Sequence, residues 1–186
     1  MKRLLLIVLI LACLSGCNAE NNCMDRALVL RNKMINCEGY RFKANITADY
    51  GDKLYTFVLN CVSDNNDVLR FEVISPDSIA GICGNLSGSG GYLTFDDQVL
   101  MFEMLADGQI TPVSAVWLFV KSLKSGYIKG CTGTDSGMYI QIDDTYEEDA
   151  MQLDINTNDS DIPIFVEIIW RNKRIISIEV EDFAFM

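Results

Sequence analysis

The 186-residue sequence contains no histidine. That absence removes Ser-His-Asp and Cys-His catalysis, and any His-ligated zinc or iron centre. There is no CxxC pair among the seven cysteines, so a zinc ribbon or a thioredoxin-type site has no support. Positive charge is also short, with 15 Lys and Arg against 26 Asp and Glu. An acidic chain repels nucleic acid and anionic headgroups, which excludes a DNA- or RNA-binding role. No linker, repeat or second domain interrupts the chain.

What the N-terminus does have reads in three zones. Lys2 and Arg3 come first, then the apolar run Leu4 to Leu14, then Leu14-Ser15-Gly16-Cys17. The run suits an export signal. It is shorter than the roughly twenty residues a bilayer span requires. Leu14-Ser15-Gly16-Cys17 resembles the bacterial lipobox, which implies cleavage before Cys17 and a diacylglyceryl group on its thiol. Two acyl chains hold a protein at a bilayer stably. The division expected is a signal over 1–16, a lipidated polar tether over 17–22 and one domain over 23–186, placed outside the cytoplasm. The first 16 residues hold two of the 15 basic residues and no acidic ones, so the remainder carries 13 against 26, a net charge of −13.

Beyond the signal and Cys17, five cysteines remain: Cys23, Cys37, Cys61, Cys83 and Cys131. Cys23 and Cys37 fall near opposite ends of one predicted helix, about 21 Å apart, too far to bridge. Cys61, Cys83 and Cys131 sit in strand-like surroundings. They either supply one bridge or remain buried thiols acting as small hydrophobes, and the second is expected.

Helical spacing of apolar residues predicts a first helix over 22–36, with Ala27, Leu28, Leu30, Met34 and Ile35 on its apolar side. A second is predicted over 112–124, with Thr111 as N-cap and Pro112 at the first position. Its stripe is Val113, Val116, Trp117, Val120 and Leu123, widened by Leu118 and Phe119, so it calls for burial on more than one side. Elsewhere the period is two. Tyr40, Phe42, Ala44, Ile46, Ala48 and Tyr50 alternate with polar residues, as half-buried antiparallel strands do. Strands are also predicted around 54–62, 68–75, 92–95, 99–105, 127–131, 138–142, 151–155, 164–170 and 174–180. A helical turn is expected in the Pro76–Gly81 break. The total is about ten antiparallel strands and two helices, an α+β chain that is mostly β. A single sheet of that size must curl and be covered.

Motifs that carry chemistry are weak. Gly88-Ser89-Gly90-Gly91 lacks the Lys-Ser/Thr of a phosphate loop and precedes a strand, so it reads as a hairpin approach. Asp154 to Asn158 begins like a calcium loop, but the sixth position is Asp159 and the twelfth Phe165. Asp143, Asp144, Glu147, Glu148 and Asp149 lie on a polar turn and read as solvated rather than as an acid–base pair. No catalytic residue, cofactor or metal is expected. Trp117, Val113, Val116, Phe119 and Val120, with Phe42, Phe57 and Phe71 from the strands, either line a cavity for a hydrophobic ligand or fill the core.

The order of helix, meander, Pro-Gly break, hairpin, helix and strands resembles the LolA/LolB-like lipoprotein-carrier superfamily. Leu69 to Pro76 running into Ala80-Gly81-Ile82 is similar to a segment of its Firmicute members. Leu93-Thr94-Phe95-Asp96-Asp97, Ile162-Pro163 and Ile178 to Phe183 are similar to others. The resemblance implies a curved, unclosed half-barrel whose two helices cover the concave face. Within the superfamily the chain looks most like the clostridial germination-lipoprotein group, whose best-known member partners a spore-cortex amidase. Two functions follow as expectations. One is a membrane-anchored, non-enzymatic module that binds a lipid or other hydrophobic ligand. The other is a filled scaffold whose acidic surface docks an envelope enzyme such as an amidase.

Overall fold

A computed structural model describes residues 18–186 except 52, 65–66, 89, 96–97, 103–104 and 107–108. The export signal and Cys17 lie outside the described residues. The chain opens with helix α1 (Asn18–Asn36) and runs through β1 (Gly39–Asp49), β2 (Leu54–Asp64) and β3 (Leu69–Ser75). A 3-10 turn, Asp77–Ile79, occupies the expected break. Then come β4 (Cys83–Ser87), β5 (Gly90–Phe95), β6 (Gln98–Phe102) and the short pair β7 (Leu105–Ala106) and β8 (Gln109–Ile110). Helix α2 (Pro112–Ser125) is followed by β9 (Tyr127–Thr134), β10 (Gly137–Asp143), β11 (Gln152–Thr157), β12 (Pro163–Trp170) and β13 (Lys173–Phe185).

Eleven strands form one antiparallel sheet in the order β6-β5-β4-β3-β2-β1-β13-β12-β11-β10-β9. It is two meanders joined along β1 and β13, curved into an unclosed half-barrel with two helices. The predicted alternation is what faces the core. Tyr40, Phe42, Ala44, Ile46 and Ala48 of β1 are all buried, as are Ile176, Ile178 and Val180 of β13. Each of the larger side chains among them, such as Phe42, Ile46, Ile176 and Ile178, contributes about 1.5–3 kcal/mol on burial.

The seam between β1 and β13 holds a feature that alternation alone gets wrong. Continued past Val180, the pattern would turn Asp182 inward. The register instead slips between Arg41 and Lys43, and Asp182 adopts φ 53°. This bulge gives β13 one residue more than β1 and re-aims the next side chain. Phe183 stacks on Tyr40 and Phe42, with ring centroids 6.0 and 5.6 Å apart, while Asp182 is exposed. The strand therefore runs to Phe185, five residues past its expected end. At its start, Arg171 and Asn172 have φ of 50° and 60°. That left-handed pair makes the tight turn favoured between twisted antiparallel strands.

Helix α2 begins as its sequence predicts. Thr111 Oγ1 accepts a hydrogen bond from the Ser114 amide, and Pro112 stands at the start. Ser114 to Val120, Ser122 and Leu123 are buried, so the helix lies deep in the sheet's concave face. Its C-terminal carbonyls are satisfied by another helix. Arg31 of α1 donates to Leu123 O at 2.8 Å and Gly126 O at 2.7 Å. A cation at that end also suits the helix dipole.

Helix α1 starts at Asn18, four residues before its predicted beginning, so the residues read as a polar spacer are helical. Cys23, Ala27, Leu30 and Met34 form its buried stripe. Leu28 and Ile35, expected on that stripe, are exposed, because the contact with β9 is narrower than the apolar set. Cys23 and Cys131 are joined as a disulfide with Cα atoms 5.6 Å apart. This corrects the expectation of buried thiols throughout. The helix packs beside edge strand β9 and brings together two cysteines 108 residues apart. Cys37, Cys61 and Cys83 are free.

Candidate ligand groove

A groove of about 460 Å³ opens where α1, α2 and two loops of the first meander meet. Ile35 comes from the last turn of α1, and Trp117, Val120, Lys121, Lys124 and Ser125 from α2. Asp67, between β2 and β3, and Gly88, between β4 and β5, close the rim. Its size falls within the range of small-molecule sites, and an apolar lining with few charges is the usual composition. The local reason is helical spacing. Trp117, Val120, Lys121 and Lys124 recur at three- and four-residue intervals along one shoulder of α2.

The two lysines differ. Lys124 Nζ reaches Asp67 Oδ1 at 3.1 Å and lies 5.6 Å from the Tyr40 ring centroid. Lys121 is exposed at the rim. Beneath Lys124, the Tyr40 hydroxyl ends beside Ser63 and makes no hydrogen bond of good geometry, while Ser63 donates to Val68 O at 3.0 Å. Burial pushes the Tyr40 phenol up to about 12. The Ser122 hydroxyl is the other buried oxygen without a partner among the described residues.

The residues named from sequence are not gathered in one place. Trp117 and Val120 line the groove. Val116 and Phe119 are buried in the core, where the Phe119 ring meets Phe42 edge-on at 5.9 Å. Val113 and Phe57 are half-buried against the core. Phe71 is buried beneath Gly84, where a β-carbon would sit 2.7 Å from its ring. Ile35, Asp67, Gly88, Lys121 and Lys124 received no site role from the sequence. Four of them, Asp67, Gly88, Lys121 and Lys124, are polar or exposed loop and rim residues, and none of the five carries a periodic signal for a junction of four elements.

Other candidates resolve simply. Gly90 and Gly91 belong to β5, not to the start of a helix. Asp154 lies within β11, accepting from Tyr139 at 2.6 Å and Gln152 at 2.7 Å. Burial, and then this bond, raise the Tyr139 phenol to about 12. Glu147, Glu148 and Asp149 are exposed. Asp144 is drawn in, accepts from the Met151 amide at 2.8 Å, and has its pKa raised by burial. Among the described residues, no three His, Cys, Asp or Glu side chains converge as a metal site. No described helix is long and apolar enough to cross a membrane.

No family model matches the sequence, and no curated protein matches it. Solved structures do. A conserved protein from Thermus thermophilus aligns over 89% of this chain and 86% of its own, at 12% identity and a TM-score of 0.50. A LolA superfamily protein from Nitrosomonas europaea aligns over 88% and 93%, at 9% identity and a TM-score of 0.47. A structure of the CwlD amidase in complex with the GerS lipoprotein, from Clostridioides difficile, contains a chain aligned over 88% and 95%, at 15% identity and a TM-score of 0.43. At such identities, what the chain shares with the Thermus thermophilus protein is its fold.

Proposed function

We propose that this protein is a non-enzymatic, extracytoplasmic lipoprotein, anchored to a bacterial membrane through Cys17, that binds an acyl-chain amphiphile. The groove beside Trp117 and Val120 carries the reading. Ile35, Trp117 and Val120 offer an apolar wall, and Lys121 and Lys124 stand where an anionic headgroup would end. The histidine-free composition and the lipobox-like Cys17 support a binding role at an envelope rather than a reaction.

Fluorescence tests the reading. Trp117 and Trp170 are the two tryptophans, so a chain lacking the signal and Cys17 and carrying Trp170→Phe reports on Trp117 alone. Brominated fatty acid should quench that emission saturably, and lipid should appear in mass spectra of organic extracts of the purified protein. An unquenched Trp117 with no co-purified lipid removes the proposal.

One observation favours the second reading. Phe183 stacks on Tyr40 and Phe42, and Phe119 meets Phe42 edge-on, so these rings inside the half-barrel fill space that a carrier would leave hollow. A filled scaffold would then act through its acidic surface on an envelope enzyme. Dry extracts, together with co-precipitation of a cortex or envelope amidase, would establish that role instead.

A further inference from the structure

We infer that the groove holds a single acyl chain bearing one anionic group, so that its ligands are free fatty acids or lysophospholipids and not two-chain membrane lipids. The inference rests on the acyl-binding reading of this groove and goes beyond it by fixing the number of chains.

Volume sets the count. A methylene takes up about as much space as a water molecule does in the liquid, about 30 Å³. The groove, at about 460 Å³, therefore accommodates about 15 methylenes, one chain of ordinary length. Two such chains need about 900 Å³. The groove does not deepen to supply the difference. Val116 and Phe119, beside the lining residues on α2, are fully buried, and the Phe119 ring meets Phe42 edge-on. Phe183 stacks on Phe42 and on Tyr40, the ring beneath Lys124. Widening is resisted too. Arg31, one turn before Ile35, donates from α1 to Leu123 O and Gly126 O at the end of α2, and parting the helices breaks both bonds. A two-chain lipid would thus keep one chain outside. In a bilayer both of its chains are already out of water, so each methylene left exposed beside the groove weakens binding about fourfold. A one-chain amphiphile has no such loss. The rim charges suit one anionic group as well. Lys124 is paired with Asp67, while Lys121 is exposed and makes no ion pair among the described residues.

Competition for the brominated fatty acid tests this. Residues 18–186 carrying Trp170→Phe, which keep every described element, report displacement through recovered Trp117 emission. In a series of saturated fatty acids from ten to twenty carbons, at measured free concentrations, affinity should rise up to about fourfold per methylene and level off near about 16 carbons. Palmitoyl lysophosphatidylglycerol, offered in detergent micelles, should displace the probe. Phosphatidylglycerol with two palmitoyl chains, offered in the same micelles, should need at least about 100-fold more, as even four methylenes left in water imply. Whichever of palmitate and the lysolipid displaces at the lower concentration distinguishes the two sources, and either order supports the inference. Displacement by the two-chain lipid at the same concentration as the lysolipid, or affinity that climbs without a break to twenty carbons, overturns the inference and leaves the acyl-binding reading standing. A Trp117 that the brominated probe never quenches overturns both.

Discussion

The two meanders that make the sheet are built to different standards of attachment. The second, β9 to β13, is tied to α1 at two points, by the Cys23–Cys131 disulfide and the Arg26–Asp161 pair. The inner face of β10 to β12 is lined by buried residues, including Met138, Ile140, Ile142, Leu153, Ile155, Val166 and Ile168. Its outer face carries a hydrogen-bonded group of Tyr139, Gln141, Gln152 and Asp154. The first meander runs from the 11-residue β1 and β2 to the five-residue β4 and β6. There the free Cys83 is exposed and Tyr92 is 40% exposed. The groove lies at the border, with its helix wall anchored to the second meander and its loop rim drawn from the first.

The largest test of this contrast removes the disulfide. Cys23→Ala with Cys131→Ala opens a loop of 108 residues and should cost about 4 kcal/mol, chiefly through the unfolded chain. Urea unfolding, with the wild type under reducing conditions as comparison, reads it. A cost below about 1 kcal/mol would mean α1 is held by packing alone.

Next comes a matched pair. Leu153 of β11 and Leu86 of β4 are both fully buried. Leu153→Ala should cost about 4 kcal/mol, and Leu86→Ala about 2.5 kcal/mol, because the tapering side can collapse around a deleted side chain. Equal losses in chemical denaturation would erase the distinction between the meanders.

The smallest effect is one of pH. Tyr139 has a folded pKa of about 12, above its ordinary value of 10.0. Its contribution is complete below pH 10 and declines as pH rises from there through about 12, because the unfolded state loses the proton first. Tyr139→Phe should cost about 1 kcal/mol at neutral pH through the lost bond to Asp154, and should soften the alkaline decline. Tyr40→Phe, on the seam, should soften it too, since its phenol is also raised to about 12. Stability curves between neutrality and pH 12 would show an unchanged alkaline slope if neither phenol is held neutral by the fold.

Much of this architecture was legible before any coordinates. The mostly antiparallel α+β make-up, the cap at Thr111, the break after Pro76 and the inward set of β1 all follow from local rules of spacing and turn chemistry, while the half-barrel shape was an expectation from the family resemblance. The groove was legible only in part. Trp117 and Val120 stood out as apolar, but Ile35 looked like a core residue, and Lys121, Lys124, Asp67 and Gly88 looked like ordinary surface. Their juxtaposition depends on how two helices and two loops meet, and no one-dimensional period records that. The expected spacer failed for a related reason. Three of the five residues from Asn18 to Asn22 are asparagines of poor helix propensity, but Cys23, Ala27 and Leu30, buried on the helix that packs on β9, hold the helix that extends through them.

The sequence by itself determined which chemistry is out of reach, through the missing histidine, and which face of nearly every strand turns inward, through strict alternation. Tertiary structure decided the rest. It paired Cys23 with Cys131, turned Phe183 rather than Asp182 into the core, and brought Ile35 of α1 and Trp117 of α2 to one groove. Alternation is a property of neighbours along the chain, so composition and order can express it. Proximity between residues 108 apart arises only when packing has selected one arrangement of the elements.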